Sequence, residues 1–132
     1  MIKVVKAIII NKEKFLLQLR DNNNTISYPN HWSFFGGEVD KKETDEEALK
    51  RELLEEISWE PKEFSYYTSF IDYSTNATVK LFLINFENIS ENLILNEGQD
   101  MHWFSLEDLK KLLKTPSNMY DLLKNINFHQ VS

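Results

Sequence analysis

Three glutamates, Glu52, Glu55 and Glu56, stand at spacings i, i+3 and i+4. On a helix, at about 100° per residue, they share an arc of roughly 100°. Their carboxylates converge there and repel one another. Two readings follow. Either the three turn apart into water, or a hard divalent cation neutralises them. Magnesium and manganese prefer such all-oxygen, octahedral surroundings. The pair Gly36-Gly37 lies just upstream. Lacking a Cβ, it lets backbone approach closely and offer a carbonyl to the same ion. A metal held this way lowers the pKa of a bound water and aims it at an anionic group.

These side chains need a helix to present them. Thr44 is the expected N-cap, with Glu47 completing a capping box. Leu49, Leu53 and Ile57 repeat every four residues and mark the buried face of a helix over 44–57. Upstream, residues 2–10 read as a strand rich in β-branched residues, with a turn at Asn11-Lys12-Glu13 and a return over Phe15–Arg20. Residues 21–31, with Asn22-Asn23-Asn24 and Tyr28-Pro29, read as a loop. The aromatic run His31–Phe35 is expected to stop at Gly36-Gly37. Downstream, Phe64–Tyr73 and Thr78–Phe86 read as strands around a hairpin at Ser74-Thr75-Asn76, and 87–100 as polar loop. Met101–Phe104 reads as a strand. Ser105 caps a helix expected to reach about Leu113, and Met119–Ile126 forms a last short one. Strands interrupted by helices suit a mixed sheet with helices packed on it.

The run Gly37-(five residues)-Glu43-(seven residues)-Arg51-Glu52-Leu53-Leu54-Glu55-Glu56-Ile57-Ser58-Trp59 resembles the Nudix box, G-x5-E-x7-R-E-U-x-E-E-x-G-U, where U is bulky and apolar. Only Ser58 departs, standing where glycine is usual. The approach Trp32-Ser33-Phe34-Phe35-Gly36-Gly37 is also similar to the family's, with Phe35 where proline is common. The flanking strand pattern and the late pair Glu97-Gly98 extend the likeness over most of the chain.

The resemblance implies an α/β fold, the Nudix-type α/β/α sandwich with a mixed sheet. It implies metal-dependent cleavage of a pyrophosphate bond in a nucleoside diphosphate linked to a moiety X. The candidates are a MutT-like nucleoside triphosphate pyrophosphohydrolase and a nucleotide-sugar hydrolase. Mapped residue by residue, Glu52 and Glu56 are the main metal ligands, Glu55 assists, and the Gly36 carbonyl contributes. Glu97 matches an extra glutamate that serves as ligand or general base, so Glu52, Glu55 and Glu97 are the catalytic candidates. Glu43 pairs with Arg51 and holds loop to helix. The implied cofactor is Mg²⁺, with Mn²⁺ as a substitute. Arg20 is a candidate phosphate ligand or an ordinary surface arginine. Tyr28, His31 and Trp32 are candidates to stack on a base or sugar, with core packing the competing role for Trp32.

Composition narrows the alternatives. The chain has 132 residues, enough for one domain over 1–132, and 42% are hydrophobic, which excludes disorder. There is no cysteine, hence no disulfide, thiolate nucleophile or cysteine-ligated metal. The longest strongly apolar run, Ala7–Ile10, is too short to span a membrane, so a cytoplasmic protein is expected. The whole formal charge of −6 sits between Glu38 and Glu60, and such a face repels nucleic acid. The expected partner is a small nucleotide-type diphosphate, with no nucleic acid and no membrane, on a monomer or homodimer. Two other readings remain at this stage: a non-catalytic Nudix-fold sensor that binds nucleotide, and a plain acidic helix that imitates the motif.

Overall fold

The computed structural model describes residues 1–87 and 92–128. Residues 88–91 of the polar 87–100 stretch therefore lie outside the described residues. The chain forms β1 (Ile2–Asn11), β2 (Lys14–Leu19), β3 (Trp32–Ser33), β4 (Phe35–Glu38) and α1 (Asp45–Ile57). Then come β5 (Ser65–Asp72), β6 (Ala77–Asn85), β7 (Asp100–Ser105), α2 (Leu106–Leu109) and α3 (Met119–Leu123). The sheet runs β3-β2-β1-β6-β5, with β4 also on β1 and β7 also on β2. Among the described residues only β1 and β6 pair in parallel, from Ile2↔Ala77 to Ile10↔Asn85. The sheet is thus mixed.

β1 is apolar on both faces because it lies inside the sheet. Val5, Ala7 and Ile9 join Leu49, Leu53 and Ile57 of α1 in one core cluster. Ile8 and Ile10 join Met119 and Leu123 of α3 in the other. Helices therefore cover both faces, giving an α/β/α arrangement. Leu49, Leu53 and Ile57 are fully buried, as the four-residue repeat requires.

The sheet forks. β1 and β2 pair only from Ile9↔Leu16 to Asn11↔Lys14. Beyond that, β1 takes β4 as its partner, from Ala7↔Phe35 to Val4↔Glu38. β2 instead takes β3, through Gln18↔Ser33 and Leu19↔Trp32. The chain crosses the fork at Phe34. The aromatic run consequently does not stop at Gly36-Gly37, as its residue types suggested. Pairing with β1 carries β4 through both glycines to Glu38.

α2 also differs from expectation, ending at Leu109 rather than near Leu113. Lys111 and Leu112 donate to the carbonyls three residues back, Asp108 and Leu109, so the turn tightens and the α-ladder stops. The Lys114 carbonyl is then free to accept from Trp32 N at 2.8 Å. α3 is shorter too, ending at Leu123, with one further turn to Ile126.

α1 opens with a complete capping box: Glu47 N–H donates to Thr44 Oγ1 at 3.1 Å, and Thr44 N–H to Glu47 Oε1 at 2.8 Å. It closes at Ser58, whose φ of 55° and ψ of 38° are left-handed. Glycine reaches that region freely, whereas a residue with a Cβ is strained there by about 1–2 kcal/mol. Ser58 recovers part of this, because Asn96 Nδ2 donates to its Oγ at 2.9 Å. Ser58→Gly is expected to stabilise the fold by about 0.5–1 kcal/mol, read from the urea midpoint. A lower midpoint would mean that the Asn96 link outweighs the strain.

Candidate active site

Glu56 sits in the fork. It is 2% exposed, the one buried acid among the described residues. Gly36 N–H donates to its Oε1 at 2.9 Å and Gln18 Nε2 to its Oε2 at 3.2 Å. Gln18 Nε2 also reaches the Phe34 carbonyl at 3.5 Å. One side chain of α1 thus joins β4, which follows β1, to β2 across the fork. Burial pushes the Glu56 carboxyl up, Lys6 opposes the shift, and Glu52 and Glu97 add to it. Lys6 is pushed down, again chiefly by burial.

Glu52, one turn earlier, lies against Gly37. A Cβ on Gly37 would come within 2.4 Å of the Glu52 carboxylate. Burial raises the Glu52 carboxyl, and Arg51 partly offsets that. Glu55 is half-exposed and touches Arg51 Nη1 at 3.5 Å. Among the described residues no three acidic or histidine side chains converge as a ready-made metal shell. Glu52 turns to Arg51, Glu55 outward and Glu56 inward. Their fields still overlap, since Glu52 and Glu97 both act on Glu56. The donors are hard oxygens, and the missing Cβ of Gly37 is what admits the Glu52 carboxylate. This set fits a divalent cation.

Arg51 ties the acidic helix to the glycine strand. Its Nε donates to Glu43 Oε2 at 3.0 Å and its Nη2 to Glu43 Oε1 at 2.6 Å, a two-pronged pair. Nη2 also reaches the Glu38 carbonyl, next to Gly37, at 3.0 Å, and Nη1 reaches Glu52 at 3.0 Å. Hydrogen bonds from Arg51 and from the Asp40 backbone hold the Glu43 carboxyl down to about 2, from an ordinary 4.5. A depressed carboxyl stabilises the fold above its unfolded pKa, and that contribution fades as pH falls through the folded one. Part of the stability should therefore disappear between pH 4.5 and 2. Glu43→Gln should flatten that decline in urea unfolding curves recorded across the interval; an unchanged slope would remove Glu43 as its source.

Glu97 lies on a loop that is fastened at several points. Asn96 N–H donates to the Glu56 carbonyl at 2.8 Å and Gln99 N–H to the Leu19 carbonyl at 2.8 Å. Gly98 has φ +90°, and a Cβ there would press on the Leu19 carbonyl. Glu97 is thereby carried to the cavity beside Glu56.

That cavity holds about 720 Å³. Lys6, Gln18, Arg20, Gly36, Glu56 and Glu97 line it, and so do the apolar Phe70, Val79, Leu81 and Met119, with Leu81 beside Lys6 on the neighbouring strand. Arg20 lines it, with Nε donating to the Ser27 carbonyl at 2.8 Å. Tyr28 lines it as well, and its hydroxyl donates to Asp72 Oδ2 at 2.8 Å. This bond fastens the 21–31 loop to the end of β5. The other two aromatic candidates stand elsewhere. Trp32 packs edge-on against Phe104 with centroids 4.9 Å apart, within the α3-side core and outside the cavity lining. His31 Nδ1 bonds the Pro29 carbonyl at 2.8 Å and its ring stacks edge-on with Tyr28, outside the cavity lining. Sequence reasoning passed over Lys6 and Gln18. Lys6 left a signal, a charge set between Val5 and Ala7 in an otherwise apolar stretch of the central strand.

A forked mixed sheet holds a buried carboxylate at its opening, and an acidic helix stands beside a cavity that Lys6 and Arg20 also line. The NUDIX domain family model matches residues 2–126. The chain belongs to the NUDIX family and is a Nudix pyrophosphohydrolase, an enzyme class that uses a divalent metal. It is 30% identical to "Nucleoside triphosphatase NudI" of Enterobacter sp. (strain 638), across 83% of this chain and 85% of that one. It is 29% identical to the "CTP pyrophosphohydrolase" of Escherichia coli (strain K12), across 90% and 87%. The solution structure of the E. coli ORF135 protein superposes with a TM-score of 0.72 at 29% identity, covering 94% of this chain and 86% of that one. A MutT NUDIX hydrolase from Burkholderia pseudomallei, 20% identical, shares the fold with a TM-score of 0.77 across 96% and 98%. Among the described residues no helix is long and apolar enough to cross a membrane.

Proposed function

We propose that this chain hydrolyses nucleoside triphosphates with release of pyrophosphate, using Mg²⁺. The observation that carries the reading is the mixed lining of the cavity. Carboxylates, cations and apolar side chains line one cavity whose volume suffices for a nucleoside. The printed names of the two curated relatives above, a nucleoside triphosphatase and a CTP pyrophosphohydrolase, favour a triphosphate over a nucleotide sugar.

Glu52, Glu56 and the Gly36 carbonyl would hold the metal, with Glu55 and Glu97 as further oxygen donors. When bound, the ion supplies charge neutralisation at the phosphates and a more acidic water. Glu97 is the proposed acceptor of the water's proton, because it reaches the cavity without an ion pair of its own among the described residues. Arg51 and Glu43 set the helix against β4 and touch no substrate. Tyr28, fixed by Asp72, closes one side of the cavity. The non-catalytic sensor reading is not favoured by the comparisons.

The test is a panel of nucleoside triphosphates, nucleotide sugars and dinucleoside polyphosphates with Mg²⁺ or Mn²⁺, followed by product detection. Pyrophosphate release from a triphosphate, abolished by EDTA, is expected. Faster cleavage of a nucleotide sugar, or no cleavage at all, would overturn the assignment.

A further inference from the structure

Lys6 is a charged residue on the central strand of the sheet, between Val5 and Ala7 of the core. It pairs with Gly36 on one side and Leu81 on the other. Its stem lies across Gly36, the Cδ 3.0 Å from where a Cβ would stand, and this directs the ammonium into the cavity. Burying an ammonium among apolar strands is costly unless its donors are used. Among the described residues, its one hydrogen bond is a long one to the Phe34 carbonyl, 3.4 Å.

The obvious partner is Glu56, yet the two form no salt bridge. Glu56 is instead bonded through both oxygens, to Gly36 N–H and Gln18 Nε2. Arg20 faces the same cavity. Its Nε is taken by the Ser27 carbonyl, and among the described residues its two Nη groups make no hydrogen bond. Lys6 and Arg20 lie within each other's field. Glu56 acts on both cations, but among the described residues neither forms an ion pair with it, so both keep donors to offer an anion in the cavity.

We propose that Lys6 is a ligand of the substrate's phosphate chain, its ammonium and the Arg20 guanidinium together grasping non-bridging oxygens of one phosphoryl group. The assignment rests on the phosphoanhydride reading above. It adds a contact from β1, independent of the acidic helix. The phosphate chain then lies between carboxylates on one side and cations on the other. Such a grip works without a metal, so the protein should hold pyrophosphate in EDTA.

Titration calorimetry of inorganic pyrophosphate in EDTA tests this with Lys6→Met, which keeps the stem over Gly36, and with Lys6→Arg. Loss of one charge-assisted contact should weaken pyrophosphate binding in Lys6→Met by about ten- to a hundredfold. Lys6→Arg should recover most of it. In the same samples, Mn²⁺ binding followed by electron paramagnetic resonance should be as tight in Lys6→Met as in the unaltered protein, or tighter. Thermal melts confirm folding. Unaltered protein with ¹³C-labelled lysine provides a second measurement should Lys6→Met fail to fold. Pyrophosphate should shift the Lys6 Cε resonance, assigned by its disappearance in Lys6→Arg. Equal pyrophosphate binding in folded Lys6→Met, or a Cε signal indifferent to pyrophosphate, would overturn the proposal. Lys6-dependent pyrophosphate binding in a protein that hydrolyses nothing in the nucleotide panel would sink the substrate reading alone.

Discussion

Glu56→Gln is expected to lower turnover by about three orders of magnitude or more while leaving the melting temperature unchanged or higher. The activity loss follows from the several kcal/mol that a metal contributes to a transition state of growing charge. Gln keeps an oxygen for the Gly36 N–H but gives up the charge that a cation needs. The stability argument runs the other way. Burial and the neighbouring Glu52 and Glu97 carboxylates raise the Glu56 carboxyl above its ordinary value. A raised carboxyl favours the fold below its unfolded pKa and loses that contribution as pH rises, so at neutral pH the ionised form is a burden. A neutral amide removes it, at the cost of turning the Gln18 amide over. Steady-state kinetics on a confirmed triphosphate, beside a thermal melt, measures both. Near-normal turnover would end the metal-ligand assignment for Glu56. A large fall in melting temperature would mean that the attraction of Lys6 for the ionised Glu56 outweighs desolvation.

What could be read from the chain and what could not divides by sequence distance. The α1 helix was legible because its signals are local: Thr44 with Glu47, leucines at four-residue intervals, and acids within one turn. Its ion pair was legible because Glu43 and Arg51 flank those same turns. The fork was not, because it depends on which strand β1 pairs with at each point along its length, and nothing in residues 2–10 states that. Lys6 and Gln18 acquire their roles only through that register, and so passed unnoticed. For Trp32 the sequence left core packing and stacking on a base both open, and its packing against Phe104 decides for the core. Gly36 and Gly37 are legible both as the end of an aromatic run and as a place of close backbone approach, and the second reading fits their contacts. They are strand residues chosen for what lies against them.

These two glycines should fail in different ways when each becomes alanine. At Gly36 the φ is +146° and a Cβ would stand 2.1 Å from the Val5 carbonyl and 2.8 Å from Lys6 Cα. Both obstacles are backbone of the central strand, which cannot move without losing its pairing with β4 and β6. Gly36→Ala should therefore cost about 3 kcal/mol or more of stability. At Gly37 the obstacle is the Glu52 carboxylate, 2.4 Å away, the far end of a side chain. Swinging it aside breaks its 3.0 Å contact with Arg51 but leaves the sheet intact. Gly37→Ala should then fold with a loss of about 1 kcal/mol, while turnover falls by about two orders of magnitude or more as the Glu52 oxygens leave their position. Urea unfolding and kinetics on the two variants separate the cases. A stable but inactive Gly36→Ala, or an unfolded Gly37→Ala, would reverse the division of labour between them. In a folded Gly37→Ala, Mn²⁺ affinity should fall together with turnover, because the displaced group is a proposed ligand rather than a support. Full Mn²⁺ affinity with lost turnover would instead assign Glu52 to the chemistry and leave the metal to Glu56 and Glu97.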